Sequence, residues 1–165
     1  MNNEAFIDGQ NLIYSSRKEE PSWDVDLRKF RHYLQRKYKV NKAYYFIGYF
    51  DTTYNELYER IQDCGYILVF RKHSKDHRSV KKGNVDTDLV FEVMKKIAEK
   101  DKFDKVVLVS GDGDYFKMVE YLIKKNKFCK LLAPNEKRMS SLYKSLHTKY
   151  FTFLNQQEVI KKIGK

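Results

Sequence analysis

Four aspartates occupy positions at which carboxylates can act together on a metal ion or a phosphate group. Asp112 and Asp114 follow the apolar run VVLVS, Asp8 follows the apolar run AFI, and Asp86 begins a helical pattern. In an α/β sheet, the carboxyl ends of parallel strands and the starts of the following helices lie at one edge. We therefore expect the four acids to converge there, provided that the first and fourth predicted strands are neighbours.

Carboxylates that are held close together repel one another unless a cation joins them. Oxygen ligands of this kind suit Mg²⁺ or Mn²⁺, as one or two ions, and no His or Cys lies beside them at zinc-ligand spacing. Each acid also has a simpler explanation, because Asp86 and Asp114 can cap a helix and Asp8 can occupy a turn. A shared cation site explains all the positions at once, and we prefer it. Asp88 lies about 200° from Asp86 around a helix, so we expect it to support the ligands without contacting the ion.

The elements that must position these acids alternate between strands and helices. Apolar, aromatic and β-branched runs predict strands, and periodic apolar residues predict the helices between them. This alternation predicts an α/β fold, a three-layer α/β/α domain with a mostly parallel sheet of about six strands. The predicted strands cover residues 4–8, 42–50, 66–70, 105–110, 127–133 and 149–154. The predicted helices cover residues 25–38, 53–65, 85–100, 115–125 and 136–146, with a short one at the end of the chain.

Length and composition favour one domain. The chain has 165 residues and no repeat or linker, so we predict a single domain over residues 1–165 with its core at about 5–154. No apolar stretch reaches the ~20 residues of a membrane span, and the first residues lack a signal-peptide pattern. Cys64 and Cys129 each stand alone, which favours reduced thiols in a cytoplasmic protein.

The charge of the chain predicts a polyanionic partner. The net charge is +11, and nucleic acid is the commonest partner of so basic a protein. Residues 71–83 contain six Lys or Arg and two His without an apolar period, which predicts an exposed loop that contacts RNA. A merely solvated surface loop is the alternative. The basic residues of this loop are Arg71, Lys72, Lys75, Arg78, Lys81 and Lys82.

Three segments, FIDGQNL, KGNVDTDL and LVSGDGDYFKMVEYL, resemble the signature segments of the NYN domain. More closely, they resemble its LabA-like branch within the PIN-like nuclease superfamily, and the resemblance extends from residue 5 to about residue 154. It implies a PIN-like (Rossmann-like) α/β/α fold and a metal-dependent ribonuclease activity. Carried over by motif, the acidic metal residues are Asp8, Asp86, Asp112 and Asp114.

The same resemblance implies supporting roles. Asn11 is the polar catalytic residue that orients the site, and Ser110 is the small hydroxyl residue before the acidic turn. Two positions depart from the family pattern, because an extra Asn84 lengthens the Lys-Gly-Val-Asp segment and the later helix acid is Glu92 instead of Asp. Both departures keep the primary ligands and leave the number of ions open.

These features predict the hydrolysis of phosphodiester bonds inside single-stranded RNA. The metal would polarise the phosphoryl oxygen and activate water, and the basic loop would hold the RNA backbone. One alternative is a non-catalytic RNA-binding adaptor, which the basic loop would serve equally well. Another is a haloacid-dehalogenase-like phosphatase, which needs an acid where this chain has Gln10. Tyr14, Trp23 and Tyr115 are candidates for stacking on bases, and the oligomeric state stays open, a homodimer included.

Overall fold

The computed structural model describes residues 1–18, 21–71 and 85–165, and a six-stranded sheet forms its centre. The strand order is β3-β2-β1-β4-β5-β6, and every neighbouring pair is parallel. The first and fourth strands are therefore adjacent, as the convergence of the acids requires, and the direction of winding reverses between them. The strands are β1 (Asn3–Asp8), β2 (Val40–Tyr49), β3 (Ile67–Arg71), β4 (Val106–Val109), β5 (Phe128–Ala133) and β6 (Phe151–Phe153).

Helices cover both faces of this sheet. The helices are α1 (Gly9–Arg17), α2 (Leu27–Tyr38), α3 (Asn55–Asp63), α4 (Val85–Ala98), α5 (Phe116–Lys124) and α6 (Gln157–Ile163). Apolar residues of α1, α2, α3 and α6 pack into one core cluster, and those of α4 and α5 pack into a second one. The three-layer α/β/α fold predicted from the sequence is confirmed. Within the three described ranges, no helix is long and apolar enough to cross a membrane.

The central strands are buried on both faces, which explains their continuous apolar sequences. All residues of β1 and β4 are buried. Along β1, Ile7 packs into the first core cluster and Phe6 into the second, because successive side chains of a strand point to opposite faces. The sheet interior is thus filled by apolar side chains up to the point where β1 ends in Asp8.

Two local predictions were wrong. No helix was predicted between the first strand and residue 25, yet α1 occupies Gly9–Arg17. The helix predicted at residues 136–146 is instead two short 3₁₀ helices, Glu136–Arg138 and Ser141–Ser145. Both differences lie next to the acidic residues, where short polar side chains bond to the backbone and set its path.

Candidate metal centre

The acidic residues lie at the carboxyl edge of the sheet, where β1 and β4 meet. Ile7 of β1 pairs with Val109 of β4, so Asp8 and Ser110 are the next residues on two adjacent strands. Asp86 lies in the first turn of α4, and Asp112 precedes the 3₁₀ turn Gly113–Tyr115. Residues far apart in the chain thus reach one place because the order of the strands brings them there.

Three carboxylates form a group of the size that a metal ion requires. Asp86, Asp112 and Asp114 each offer one oxygen, and these oxygens lie within 4.8 Å of one another. Asp86 and Asp112 are half-buried, and Asp114 is exposed. Residues 1–18, 21–71 and 85–165 contain no second group of this kind. The group consists only of carboxylate oxygens, which is the donor set of Mg²⁺ and Mn²⁺.

Asp8 lies beside this group and is joined to it by Tyr115. The hydroxyl of Tyr115 donates to Oδ1 of Asp86 at 2.6 Å and lies 3.1 Å from Oδ2 of Asp8. A hydroxyl has one hydrogen, so it serves only one of the two carboxylates at a time. Tyr115 is fully buried, which contradicts the prediction that it stacks on bases. Instead, it fixes the distance between the acid of β1 and the acid of α4.

The capping and the metal-binding interpretations of these acids are compatible. Oδ1 of Asp8 accepts from the backbone N–H of Asn11 and caps α1 at 3.0 Å, while Oδ2 is the oxygen that contacts Tyr115. Oδ1 of Asp112 likewise accepts from the N–H of Asp114 at 3.0 Å. A carboxylate has two oxygens, so one can cap a helix while the other faces the cluster. The local bond orients each side chain toward its neighbours.

The turn that carries Asp112 is held from three sides. The side-chain oxygen of Asn11 accepts from the N–H of Gly111 at 2.9 Å, which ties α1 to the turn. The hydroxyl of Ser110 accepts from the N–H of Asp112 at 3.1 Å and donates to Asp8 at 3.5 Å. The hydroxyl of Tyr143 donates to the carbonyl of Asp112 at 2.6 Å. Asn11 and Ser110 therefore act on the backbone and orient the acids.

Gly113 allows this turn to pack closely against the segment that follows β5. A Cβ atom at Gly113 would lie 2.6 Å from the hydroxyl oxygen of Ser140, too close for any real contact. The N–H of Ser140 donates to the carbonyl of Gly111 at 2.9 Å. Close packing against Ser140 thus favours glycine at position 113, and both contacts keep Asp112 and Asp114 in place.

Burial and the repulsion between neighbouring carboxylates raise the pKa of two of these acids, Asp86 and Asp8. Burial, and to a smaller extent the charges of Asp112, Asp8 and Asp114, raise the pKa of Asp86 from 3.8 to about 6, against the opposing hydrogen bond of Tyr115. Burial also raises the pKa of Asp8, with a further contribution from the charge of Asp112. A bound cation reverses the sign of the local field and favours the ionised carboxylates. The site therefore fits a divalent cation both in its donors and in its charge.

Replacing Asp86 with asparagine is expected to stabilise the metal-free protein at neutral pH. A carboxyl group whose pKa is raised in the folded state makes its full contribution to folding stability below about pH 3.8. This contribution is lost as the pH rises through about 6. Asparagine avoids that loss and still offers Tyr115 an acceptor oxygen. In chelator, the Tm of Asp86→Asn minus that of the wild type should rise by a few degrees between these pH values.

The control for this measurement is Asp101→Asn. The pKa of Asp101 is lowered by its hydrogen bond to Lys96, so the stabilising effect of its charge is present above about pH 3.8 and is lost below it. Its Tm difference from the wild type should stay level over the range in which that of Asp86→Asn rises. A level difference for Asp86→Asn would contradict the raised pKa.

The remaining candidate residues lie outside this group or outside the described residues. Asp88 and Glu92 are half-buried on α4, and neither belongs to the acidic group. Arg71 ends β3, with its guanidinium 5.7 Å from the ring centroid of Tyr49. The other loop residues predicted to bind RNA, namely Lys72, Lys75, Arg78, Lys81 and Lys82, lie outside the described residues.

Comparison with known proteins agrees with the fold. A parallel sheet covered by helices on both faces, with an acidic group at its switch point, is consistent with a PIN-like α/β/α domain. The family model of the NYN domain matches residues 5–155. The chain therefore belongs to the NYN domain family, and this membership supports a nuclease or another RNA-related role.

A LabA protein resembles the chain in sequence, and a solved structure resembles it in fold. It is 26% identical over 126 residues to the "Low amplitude and bright protein LabA" of Synechococcus elongatus, which supports a LabA-like NYN protein. That match covers 71% of this chain and 65% of LabA, so the chain spans less than two thirds of its relative. A crystal structure of a protein of unknown function from Vibrio parahaemolyticus shares the fold, with a TM-score of 0.72 and 20% identity over 94% of this chain and 93% of that one.

Proposed function

We propose that the protein is a metal-dependent ribonuclease that hydrolyses phosphodiester bonds within single-stranded RNA. The observation that carries this proposal is the approach of the Asp86, Asp112 and Asp114 oxygens to within 4.8 Å of one another, at the switch point of a basic NYN domain. Three carboxylates without a cation would repel the phosphate of RNA. A divalent ion between them makes the same group attractive to phosphate.

Each residue of the centre has a defined part in this proposal. Asp86, Asp112 and Asp114 hold one Mg²⁺ or Mn²⁺ ion. The buried Asp8 adds a further negative charge beside them. When bound, such an ion polarises a phosphoryl oxygen, lowers the pKa of water and neutralises charge on the leaving group. A second ion would require Asp8 as a direct ligand. Tyr115 keeps Asp8 and Asp86 at a fixed separation, because its hydroxyl contacts both.

Asn11, Ser110 and Tyr143 hold the shape of the acidic turn without binding the ion themselves. The bonds of Gly111 to Asn11 and of Asp112 to Ser110 and Tyr143 hold the backbone on three sides. Preorganised ligands need little rearrangement when substrate binds, which lowers the cost of reaching the transition state. We propose Asn11 and Ser110 as positioning residues of the reaction for this reason.

The experiment that tests this function uses a circular single-stranded RNA. A circle has no ends, so conversion to a linear product requires an internal cut. We expect linear product with Mn²⁺ or Mg²⁺ and much slower reaction with a perfectly paired duplex of the same sequence. Tight RNA binding without product would favour the adaptor, and release of phosphate from a small monoester would favour the phosphatase.

The basic loop is expected to control RNA affinity without affecting metal binding. Neutralising Arg71, Lys72, Lys81 and Lys82 removes cations that we propose to contact phosphates. The plot of log affinity against log salt should flatten by up to about 0.7 per lost contact with a single strand. Filter binding over a series of salt concentrations measures this slope, and Mn²⁺ calorimetry serves as the control. An unchanged affinity and slope would mean that the loop is only a solvated surface.

A further inference from the structure

We propose that the pocket between α1, β2 and α3 binds one unpaired nucleobase of the RNA strand whose backbone occupies the acidic centre. This inference rests on the proposed function, because it names a subsite for the same substrate. It also adds contact with a base, which the acidic group does not provide. Carboxylates and a metal ion act on the backbone, which is common to all sequences, whereas a base pocket contacts the part of a nucleotide that differs between sequences.

The pocket is a preformed apolar cavity of about 420 Å³. This size lies within the range of about 300–1,000 Å³ that small-ligand sites occupy. Its walls are mainly the side chains of Ile13, Tyr14, Ile47, Leu57 and Ile61. Gly9 and Gln10 form the edge that follows Asp8 directly in the chain. The cavity and the acidic centre are therefore neighbours at the carboxyl edge of the sheet.

Tyr45 contributes its ring to the wall of this apolar pocket. Its ring lines the pocket and is so close to Gly9 that a Cβ atom there would lie 2.3 Å from ring carbon Cε1. Tyr45 is 2% exposed, and its buried hydroxyl has no hydrogen-bond partner in the described part of the chain. A buried hydroxyl without a partner is costly and uncommon. This hydroxyl has almost no exposed surface, so a ligand in the pocket would contact the ring of Tyr45 and not its hydroxyl.

The rim of the pocket carries an exposed aromatic ring with two cations nearby. Tyr14 is 55% exposed, and the guanidinium of Arg138 and the ammonium of Lys18 lie 5.4 and 5.8 Å from its ring centroid. Arg17 adds a further cation to the lining. Of the three aromatic residues considered from the sequence, Tyr115 is buried and Trp23 packs against the core. Tyr14 is therefore the most exposed of the three rings.

Arg138 connects the rim of the pocket with the acidic turn. Its carbonyl oxygen would lie 3.5 Å from a Cβ atom at Gly111, so its backbone packs against the turn that carries Asp112. Its guanidinium reaches in the other direction, to Tyr14. A cation at this place suits the phosphate that joins the nucleotide at the metal centre to the nucleotide in the pocket.

These features favour a nucleobase over an apolar peptide side chain. An unpaired base stacks on an aromatic ring, forms hydrogen bonds along its edge and is always attached to a phosphate. The pocket offers the Tyr14 ring and rim cations, which match the first and the third of these properties. An apolar peptide would use only the walls and would bring no phosphate to the rim cations.

The first test measures binding of a fluorescent single-stranded RNA and of a series in which one base at a time is removed, leaving the backbone intact. Fluorescence anisotropy in chelator, with Asp112→Asn as well as wild-type protein, keeps cleavage out of the readout. We expect one position at which loss of the base weakens binding about tenfold, as loss of a stacked base does. A uniform affinity across the series would overturn the proposal, and so would the absence of measurable RNA binding by Asp112→Asn, which removes one of the charges that repel phosphate in chelator.

The second test asks whether that base lies in this pocket. Tyr14→Ala removes the stacking ring, and Ile13→Trp fills the cavity. Either change should weaken the binding of intact RNA about tenfold. Removing the base should then cause no further loss of affinity, because two changes that remove the same contact are not additive. The matched control is Tyr121→Ala, an exposed tyrosine of α5 with Lys125 at 5.7 Å from its ring. We expect the control to bind as the wild type does.

The outcomes separate this inference from the proposed function. If wild-type protein cleaves RNA and the pocket variants retain both affinity and the missing-base penalty, the pocket is not a base site although the nuclease stands. If the protein binds a base in the pocket but never cleaves RNA, the nuclease fails and the base site stands. A wild-type dimer that Ile13→Trp converts to monomer would show a second copy of the chain in the pocket and overturn the inference. If Ile13→Trp does not fold, Tyr14→Ala and the wild-type series still decide.

Discussion

Replacing Asp112 with asparagine is expected to slow RNA cleavage about 100-fold or more, because several kcal/mol of metal-dependent stabilisation are lost. Asp86→Asn should have an effect of similar size. Asparagine keeps the shape of the side chain and an oxygen that can still cap the turn, so the fold should survive. Single-turnover rates on a labelled RNA measure the effect. The double variant should be hardly slower than either single one, since ligands of one ion act as a unit.

The matched control for Asp112→Asn is Asp51→Asn. Asp51 also accepts a backbone N–H two residues later, from Thr53 at 2.9 Å, as Asp112 does from Asp114 at 3.0 Å. It does not belong to the acidic group. Asp51→Asn should therefore cleave RNA at the wild-type rate, which separates the loss of a metal ligand from the loss of a cap. Equal effects of the two changes would contradict the proposed role of Asp112.

Manganese is expected to raise the Tm of the wild type by about 5–10 °C at a concentration about 100 times its dissociation constant. Binding to the folded state contributes about 2.7 kcal/mol there, and each kcal/mol raises the Tm of a protein of this size by about 2–4 °C. Most of this shift should disappear in Asp112→Asn and persist in Asp51→Asn. Differential scanning fluorimetry with increasing Mn²⁺ measures it, and equal shifts in all three proteins would place the ion elsewhere.

The sequence predicted the fold well because the core has a simple pattern. Strands β1 and β4 are buried on both faces, so they appear as continuous apolar runs bounded by polar residues. Helix α4 carries a wide apolar stripe through Leu89 and Val93, which makes its period evident. Helix α1 has no such stripe, since Gly9, Ser15 and Ser16 are among its buried residues. That is why its sequence did not indicate a helix.

The convergence of the acids was predictable, but the way they are held was not. Alternation of strands and helices predicts that Asp8, Asp86 and Asp112 share one edge of the sheet. The bridge of Tyr115 between two of them depends on the direction of a side chain that enters the core, and spacing along the chain carries no information on this. Tyr115 directly follows Asp114 in the SGDGDY segment, and this adjacency was the one available signal.

The segment after β5 shows a second limit of sequence reasoning. Its periodic apolar residues, such as Met139 and Tyr143, resemble a helical face, and both are buried. The chain instead turns at Ser140, whose hydroxyl accepts the N–H of Leu142 at 3.4 Å and whose backbone bonds to Gly111. Contacts with the acidic turn thus override the local helical pattern, and they arise only when distant parts of the chain meet.

The measurement that tests the central claim most directly is the removal and return of the metal during cleavage of one RNA. Wild type and Asp112→Asn are purified in parallel, so that a contaminating nuclease would appear in both preparations. We predict that wild type cleaves the RNA with Mn²⁺ or Mg²⁺, stops in excess chelator and recovers when Mn²⁺ is restored, while Asp112→Asn stays inactive throughout. Cleavage that continues in chelator, or that is equal in the two proteins, would contradict the assignment of RNA hydrolysis to a metal ion held by Asp86, Asp112 and Asp114.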